Sequence, residues 1–282
     1  MRVMVVGSRG MLGTDLMQQL SGRNPLGLDL PELDITDASL CRSWISDYRP
    51  DVILAAAALT DVDYCESHEE EAFLINGQGM ANLAAAAQPA GALLVYYSSD
   101  YVFDGARPEG YREEDVPHPL SVYGKSKLRG EEQVRDLCPD HLILRTSWLF
   151  GCHGKNFIRT IVGAARAGRQ LRVVHDQRGS PTYAHDLAER TLQMMEAGCR
   201  GTYHVTNSGW CSWFELARFS VARAAVAGAI VEPVTTDQFP RPAPRPACSI
   251  LDNARMLREG FRPLRTWQEA VQEFIGTCLS AP

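Results

Sequence analysis

Tyr123 and Lys127 stand four residues apart in the run Ser121-Val122-Tyr123-Gly124-Lys125-Ser126-Lys127. On a helix that spacing puts both side chains on one face. A free phenol has a pKa of about 10, too high for efficient proton transfer near neutrality. A neighbouring ammonium stabilises the phenolate and lowers that value. Alone, such a pair is commonly a surface tyrosine and a solvated lysine. Here Ser98-Ser99-Asp100 lies just upstream, and Ser99 offers a hydroxyl to polarise a carbonyl as hydride arrives. Ser98 could equally be the polarising hydroxyl, and Asp100 could be a binding or second acidic group; spacing does not separate them. An acid, a cation that tunes it and a polarising hydroxyl are what a carbonyl reductase needs.

The hydride would come from a dinucleotide. Gly7-x-x-Gly10-x-x-Gly13 follows an apolar run from Arg2 to Val6 and opens a helical pattern to Leu20. In that context glycines let the backbone approach a pyrophosphate, and the helix N-terminus stabilises its charge. Asp29, ending the apolar run Leu26 to Leu30, could accept hydrogen bonds from an adenosine ribose and favour NADH. Arg9 could meet a 2′-phosphate and favour NADPH. The two signals conflict, so the choice stays open.

The elements that must position these groups alternate. Strand-like runs cover 51–57, 92–97 and 141–145, and helical patterns cover 37–48 and a segment starting near Val122. Ser67-His68-Glu69-Glu70 reads as a capping box opening an alanine-rich helix to about Gln88, stopped by Pro89. This alternation predicts an α/β fold, a Rossmann-type doubly wound parallel sheet with ligands at the carboxyl ends of its strands. The second half reads as helices over 156–167 and 184–195, a strand over 202–205, and a capping box at Ser212 through Glu215. Phe239 through Pro246 is a proline-rich loop held extended by fixed φ angles. The expected organisation is a dinucleotide-binding domain over 1–150 and a smaller substrate-binding lobe over 151–282, with some segments returning to the first domain.

Bulk properties agree with a soluble enzyme. Apolar residues make up 45% and charged residues 22% of 282, ordinary for a globular chain that buries a sizeable core. A net charge of −6 argues against a general nucleic-acid or anionic-membrane surface, while leaving room for local arginines that meet an anionic substrate. The most apolar stretch, Val52 to Leu59, is too short to span a bilayer. No charged leader precedes Val3, and the eight cysteines lack a CxxC pair, so reduced thiols and a cytoplasmic location are expected.

Taken in order, the motifs resemble the dTDP-4-dehydrorhamnose reductase family of extended short-chain dehydrogenases/reductases. They include Ala56-Ala57-Ala58-Leu59-Thr60-Asp61-Val62-Asp63, Asn76 within 75–79, and 98–105 from Ser98 to Gly105. They continue with 119–127, Arg145-Thr146-Ser147-Trp148, 176–182, 201–204, 212–215 and 242–246. The resemblance implies reduction of the C4 ketone of dTDP-4-dehydro-L-rhamnose by NADPH or NADH. Tyr123 would be the proton donor, Lys127 its tuner, and Ser99 would stand where the family usually has threonine. Asp100 and Trp148 match positions lining the substrate site, although a packed core tryptophan is the plainer alternative for Trp148. Gly10, Met11 and Leu12 match the phosphate turn, beside Gly7 and Arg9 of the same glycine motif, while Asp29, Asp34 and Ile35 match the adenosine side. Ala56 through Thr60 and Tyr97 would lie under the cofactor, which Tyr123 and Lys127 also reach. Arg245, by charge and motif, could pair with the diphosphate or be structural. Ser121 replaces a frequent asparagine. Some relatives hold magnesium between subunits, to which Asp15 could contribute; magnesium stays possible with no residue assigned to a metal, and a homodimer is left open. The rival readings are a reductase of another dTDP-4-keto-6-deoxysugar with different C4 stereochemistry, and a non-catalytic NADP-binding regulatory subunit.

Overall fold

The computed structural model describes residues 1–279. Five strands, β1 (Val3–Val6), β2 (Leu26–Leu28), β3 (Val52–Ala55), β4 (Leu93–Ser99) and β5 (His141–Thr146), pair in parallel in the order β5-β4-β3-β1-β2. A sixth parallel strand, Gly201–His204, adds to the free edge of β5. The central strands β1, β3 and β4 are largely apolar because both faces of the sheet are covered. Val3, Val5, Leu54, Val95 and Leu144 turn toward Leu16 and Leu187 on one face. Met4, Val6, Ile53, Leu94 and Ile143 turn toward Ile45, Met80 and Leu83 on the other. Truncating one of these fully buried leucines to alanine costs about 2–5 kcal/mol.

The helices of the first half are α1 (Met11–Gln19), α2 (Ala38–Tyr48), α3 (Val62–Ser67), α4 (Glu69–Phe73), α5 (Gly79–Ala90) and α6 (Val122–Leu137). Asp37 starts α2 by accepting the N–H groups of Ser39 and Leu40 at 2.8 and 3.0 Å. The alanine-rich region departs from the sequence reading. Ser67 ends α3, its hydroxyl donating back to the Tyr64 carbonyl at 3.1 Å, so it caps no following helix. A π-helical turn, Leu74–Gln78, separates α4 from α5. Nor does Pro89 stop α5, which runs to Ala90 and ends on Gly91 in the left-handed region.

The chain leaves β1 toward β2 on one side and returns to β3 on the other. The strand order therefore switches direction at β1, and the carboxyl ends there form the crevice that ligands use in open α/β sheets. In the second half, helix Ala184–Glu196 packs on α1 against the sheet. Helices Phe157–Arg166, Trp213–Arg223 and Trp267–Cys278 surround a separate core containing Phe150, Ile158, Leu216 and Phe274. The capping box at Ser212 forms as read, with Glu215 as its partner. Cys152 and Cys278 are disulfide-bonded, Cα atoms 5.3 Å apart, which corrects the expectation of reduced thiols for this pair. At a sequence separation of 126, no local spacing shows that pairing. The other six cysteines are free and buried. No helix among the described residues is long and apolar enough to cross a membrane.

Candidate active site

At the carboxyl ends of β1, β2 and β3 lies a cleft of about 460 Å³. Its lining includes Gly7, Arg9 and Gly10 from the first turn, Asp29, Asp34 and Ile35 after β2, and Ala56, Ala57, Ala58 and Leu59 after β3. Leu30, Leu33 and Ile75 line it too; sequence reasoning missed them because an apolar contact residue carries no motif. Gly7 has φ +80°, and a Cβ there would lie 2.5 Å from the Ala57 nitrogen. A Cβ on Gly13 would overlap the Gly7 carbonyl. Glycine at these two positions lets the turn pack closely on the segment after β3 and on itself, and Gly10 caps α1 without a side chain, leaving first-turn N–H groups to meet an anion. Met11 and Leu12 face inward with their side chains in or against the core, so only their backbone is turned to an anion. Thr60 is exposed beyond the cleft.

Where β2 ends, Asp29 and Arg9 share one corner of the cleft. Asp29 accepts the Arg9 backbone N–H at 2.8 Å and the Leu30 N–H at 2.9 Å. The Arg9 guanidinium donates to the Leu30 carbonyl at 2.7 Å and pairs with Glu32 at 2.5 Å. Asp34 is spent on its own turn, accepting from the Thr36 N–H and hydroxyl. Beneath the cleft, Asn76 of the π-helical turn holds Leu59: its Oδ1 accepts the Leu59 N–H at 2.9 Å, and its Nδ2 donates to the Leu59 carbonyl at 2.9 Å and to Ser126 Oγ at 3.0 Å. One buried amide therefore ties the segment after β3 to α6.

The two serines of β4 point to opposite faces, as strand geometry requires. Ser98 Oγ donates to buried Glu131 at 2.6 Å, away from the site. The Ser99 hydroxyl donates to Asp100 Oδ1 at 2.9 Å and accepts the Tyr101 N–H at 3.2 Å. Burial raises the Tyr123 pKa, the Ser99 hydroxyl opposing it. Burial also pushes the Asp100 carboxyl up to about 6, against the pull of the Ser249 and Ser99 hydroxyls, and its Oδ2 is buried without a hydrogen bond. One turn along α6, burial brings Lys127 down to about 7, with Glu131 opposing. Its Nζ donates to the Tyr97 carbonyl at 2.7 Å and sits 4.3 Å from the Tyr96 ring centre. Tyr97 thus meets the site through its backbone, its hydroxyl being buried in the core.

Farther out, Trp148 adopts a left-handed φ of +48° and stacks on Trp213 at 3.5 Å, so one indole face is covered. Arg245 is bound to Asp63 at 2.5 Å. Asp15 is buried with its carboxyl raised by burial, and no group of three or more His, Cys, Asp or Glu among the described residues is arranged to hold a metal ion.

The family model described as RmlD substrate binding domain matches residues 1–279. The chain belongs to this family. The RmlD-family chain is 41% identical to the spore coat polysaccharide biosynthesis protein SpsK of Bacillus subtilis, over 97% of this chain and 96% of that protein. It is 39% identical to a dTDP-4-dehydrorhamnose reductase of Streptomyces griseus, over 96% and 92% of the two chains. Its fold superposes on the crystal structure of dTDP-4-dehydrorhamnose reductase from Bacillus anthracis in complex with NADP with a TM-score of 0.95. That match has 39% identity and covers 97% of this chain and 98% of the other.

Proposed function

We propose that this RmlD-family protein reduces the C4 ketone of dTDP-4-dehydro-L-rhamnose to dTDP-L-rhamnose, with NADPH or NADH as reductant. The observation that carries this reading is the grouping of Ser99, Tyr123 and, one turn along α6, Lys127, with Tyr123 in one packed cluster with Leu59 of the cleft at the switch point of the sheet. The relatives' names give the substrate class, and the NADP complex of the Bacillus anthracis protein gives the reductant class.

Gly7, Gly10 and the α1 N-terminus would hold the pyrophosphate, Asp29 and Arg9 the adenosine ribose, and Ala56 through Leu59 the floor. Bound there, the reduced nicotinamide supplies hydride to C4. Ser99 donates a hydrogen bond to the C4 oxygen as negative charge grows on it. Tyr123, kept protonated by burial, gives that oxygen its proton. The Lys127 ammonium supplies positive charge that favours the phenolate left behind. Asp100 and Trp148 border the sugar, and the part of the second half that packs around Phe150, Ile158, Leu216 and Phe274, rather than on the sheet, forms most of the substrate lobe around it.

The test is nicotinamide oxidation with enzymatically generated dTDP-4-dehydro-L-rhamnose, followed by NMR of the product. Formation of dTDP-L-rhamnose supports the reading, whereas a different C4 epimer keeps the mechanism and changes the substrate assignment. Tyr123→Phe should bind NADPH normally and lose about 10²–10⁴ in turnover. Cofactor binding by the wild type without any turnover would favour a regulatory subunit.

A further inference from the structure

Two motifs that the reduction chemistry leaves unused meet on one carboxylate. Asp63 sits in α3, and the proline-rich strap of 239–246 arrives from the other end of the chain. Asp63 Oδ2 accepts from Arg241 Nε at 2.9 Å and from its Nη2, while Oδ1 accepts from Arg245 Nη1 at 2.5 Å and from the Ala243 N–H at 3.2 Å. Arg245 Nη1 also donates to the Ala243 carbonyl at 2.7 Å. Prolines occupy every second position from Pro240 to Pro246 and have no N–H to contribute. The strap therefore takes its shape from Asp63 and from fixed φ angles rather than from a backbone ladder.

The two arginines differ in depth. Arg241 is half exposed at 49%, whereas Arg245 is 15% exposed and Asp63 17%. Arg245 is the inner cation, and it interacts with the Tyr101 hydroxyl. The Tyr101 ring in turn meets the Tyr123 ring edge-on, centroids 5.5 Å apart. A line of contacts thus runs from Asp63 through Arg245 and Tyr101 to the proton donor. Two guanidiniums against one carboxylate leave a net positive charge beside the site. Asp63 and Ala243 occupy Nη1 of Arg245, leaving its other N–H groups to serve the Tyr101 hydroxyl and an anion.

We propose that Asp63 is a positioning residue for the sugar nucleotide: by clasping the strap it presents Arg245 beside Tyr101 as a preformed cation for the diphosphate. This inference rests on the function proposed above. Asp63 touches no reacting atom; its effect is exerted through Arg245, and the carboxylate must stay ionised to exert it. The guanidiniums and the Ala243 N–H overcome burial and hold it at about 2, so the clasp is closed throughout the neutral range.

Steady-state kinetics of Asp63→Asn and Asp63→Glu, with each substrate varied against saturating amounts of the other, provide the test. Asp63→Asn should raise KM for the dTDP-sugar about tenfold or more, leaving the NADPH KM within about twofold and kcat within about threefold. Asp63→Glu, which keeps the charge, should recover most of the loss. An unmoved dTDP-sugar KM overturns the proposal, and so does an equal rise in both KM values accompanied by a lower Tm. Should the wild type show no turnover, the functional reading fails by itself. Calorimetry with dTDP alone then decides Asp63: weaker binding to Asp63→Asn than to the wild type supports the clasp, and equal binding overturns it.

Discussion

Lys127 holds a charge that burial makes expensive, and its position on the pH scale follows from that. The ammonium is pulled down to about 7 by burial, with Glu131 opposing. Below that value the side chain is charged, and above it the charge is progressively lost. Catalysis that depends on the ammonium should therefore decline as pH rises through about 7. A profile of kcat/KM should show an alkaline limb there, and a rate that is flat from about pH 6 to about pH 9 would refute this role. Tyr123 contributes no competing limb in that range, because burial keeps its phenol protonated. The kinds of chemistry were legible in the sequence, since Tyr123, Lys127 and Ser99 are recognisable by type and spacing. Their electrostatics were not, because burial comes from elements far away in the chain. The choice between Ser98 and Ser99 was open in the sequence, yet strand alternation decides it once β4 is seen to run through both residues. Arg9 is a converse case: its guanidinium is already engaged by Glu32 and the Leu30 carbonyl, which no motif announced.

Among the elements, α6 matters most to the proposed reaction, because its first turn carries Tyr123. Ser121 Oγ accepts the Gly124 N–H at 3.1 Å and so caps the helix. Asparagine, the residue frequent there in the resembling family, caps about as well, which gives the replacement a physical reason. Ser121→Ala should cost about 1 kcal/mol and lower kcat with it, while Ser121→Asn should restore both; thermal melts and turnover numbers check the pair. The alanine-rich stretch shows where sequence reasoning failed. Ser67 through Glu70 has the composition of a capping box, but the Ser67 hydroxyl finds a nearer acceptor in the Tyr64 carbonyl and closes the preceding helix instead. The π-helical turn that follows brings Asn76 to Leu59 and Ser126, contacts 17 and 50 residues away in sequence. Local propensity cannot register partners at that range.

For the molecule as a whole, one buried ion pair binds the helical layer to the sheet. Glu131 on α6 is fully buried and takes two hydrogen bonds from Arg145 of β5, both at 2.8 Å, and one from Ser98 of β4. Burial alone would raise its carboxyl, but Arg145, Arg135 and Ser98 hold it at about 2. Glu131→Gln leaves Arg145 buried without its counter-charge, a loss of about 3–5 kcal/mol. The expected consequence is a Tm lower by roughly 10 °C in calorimetry, and a change within about 2 °C would refute it. The parallel α/β class was legible because its strands form apolar runs at regular intervals among helical patterns. The disulfide between Cys152 and Cys278 was not, since only the tertiary fold brings those two segments together. The strand Gly201–His204 has a consequence for how the protein is made. Synthesis delivers β5 well before its edge partner, and α1 well before helix Ala184–Glu196, which covers it. Until residue 204 has left the ribosome, the nascent chain carries an open apolar sheet edge that invites pairing with a neighbouring chain. Slow translation between residues 146 and 201 should thus increase aggregation of the newborn protein while leaving the finished protein unchanged.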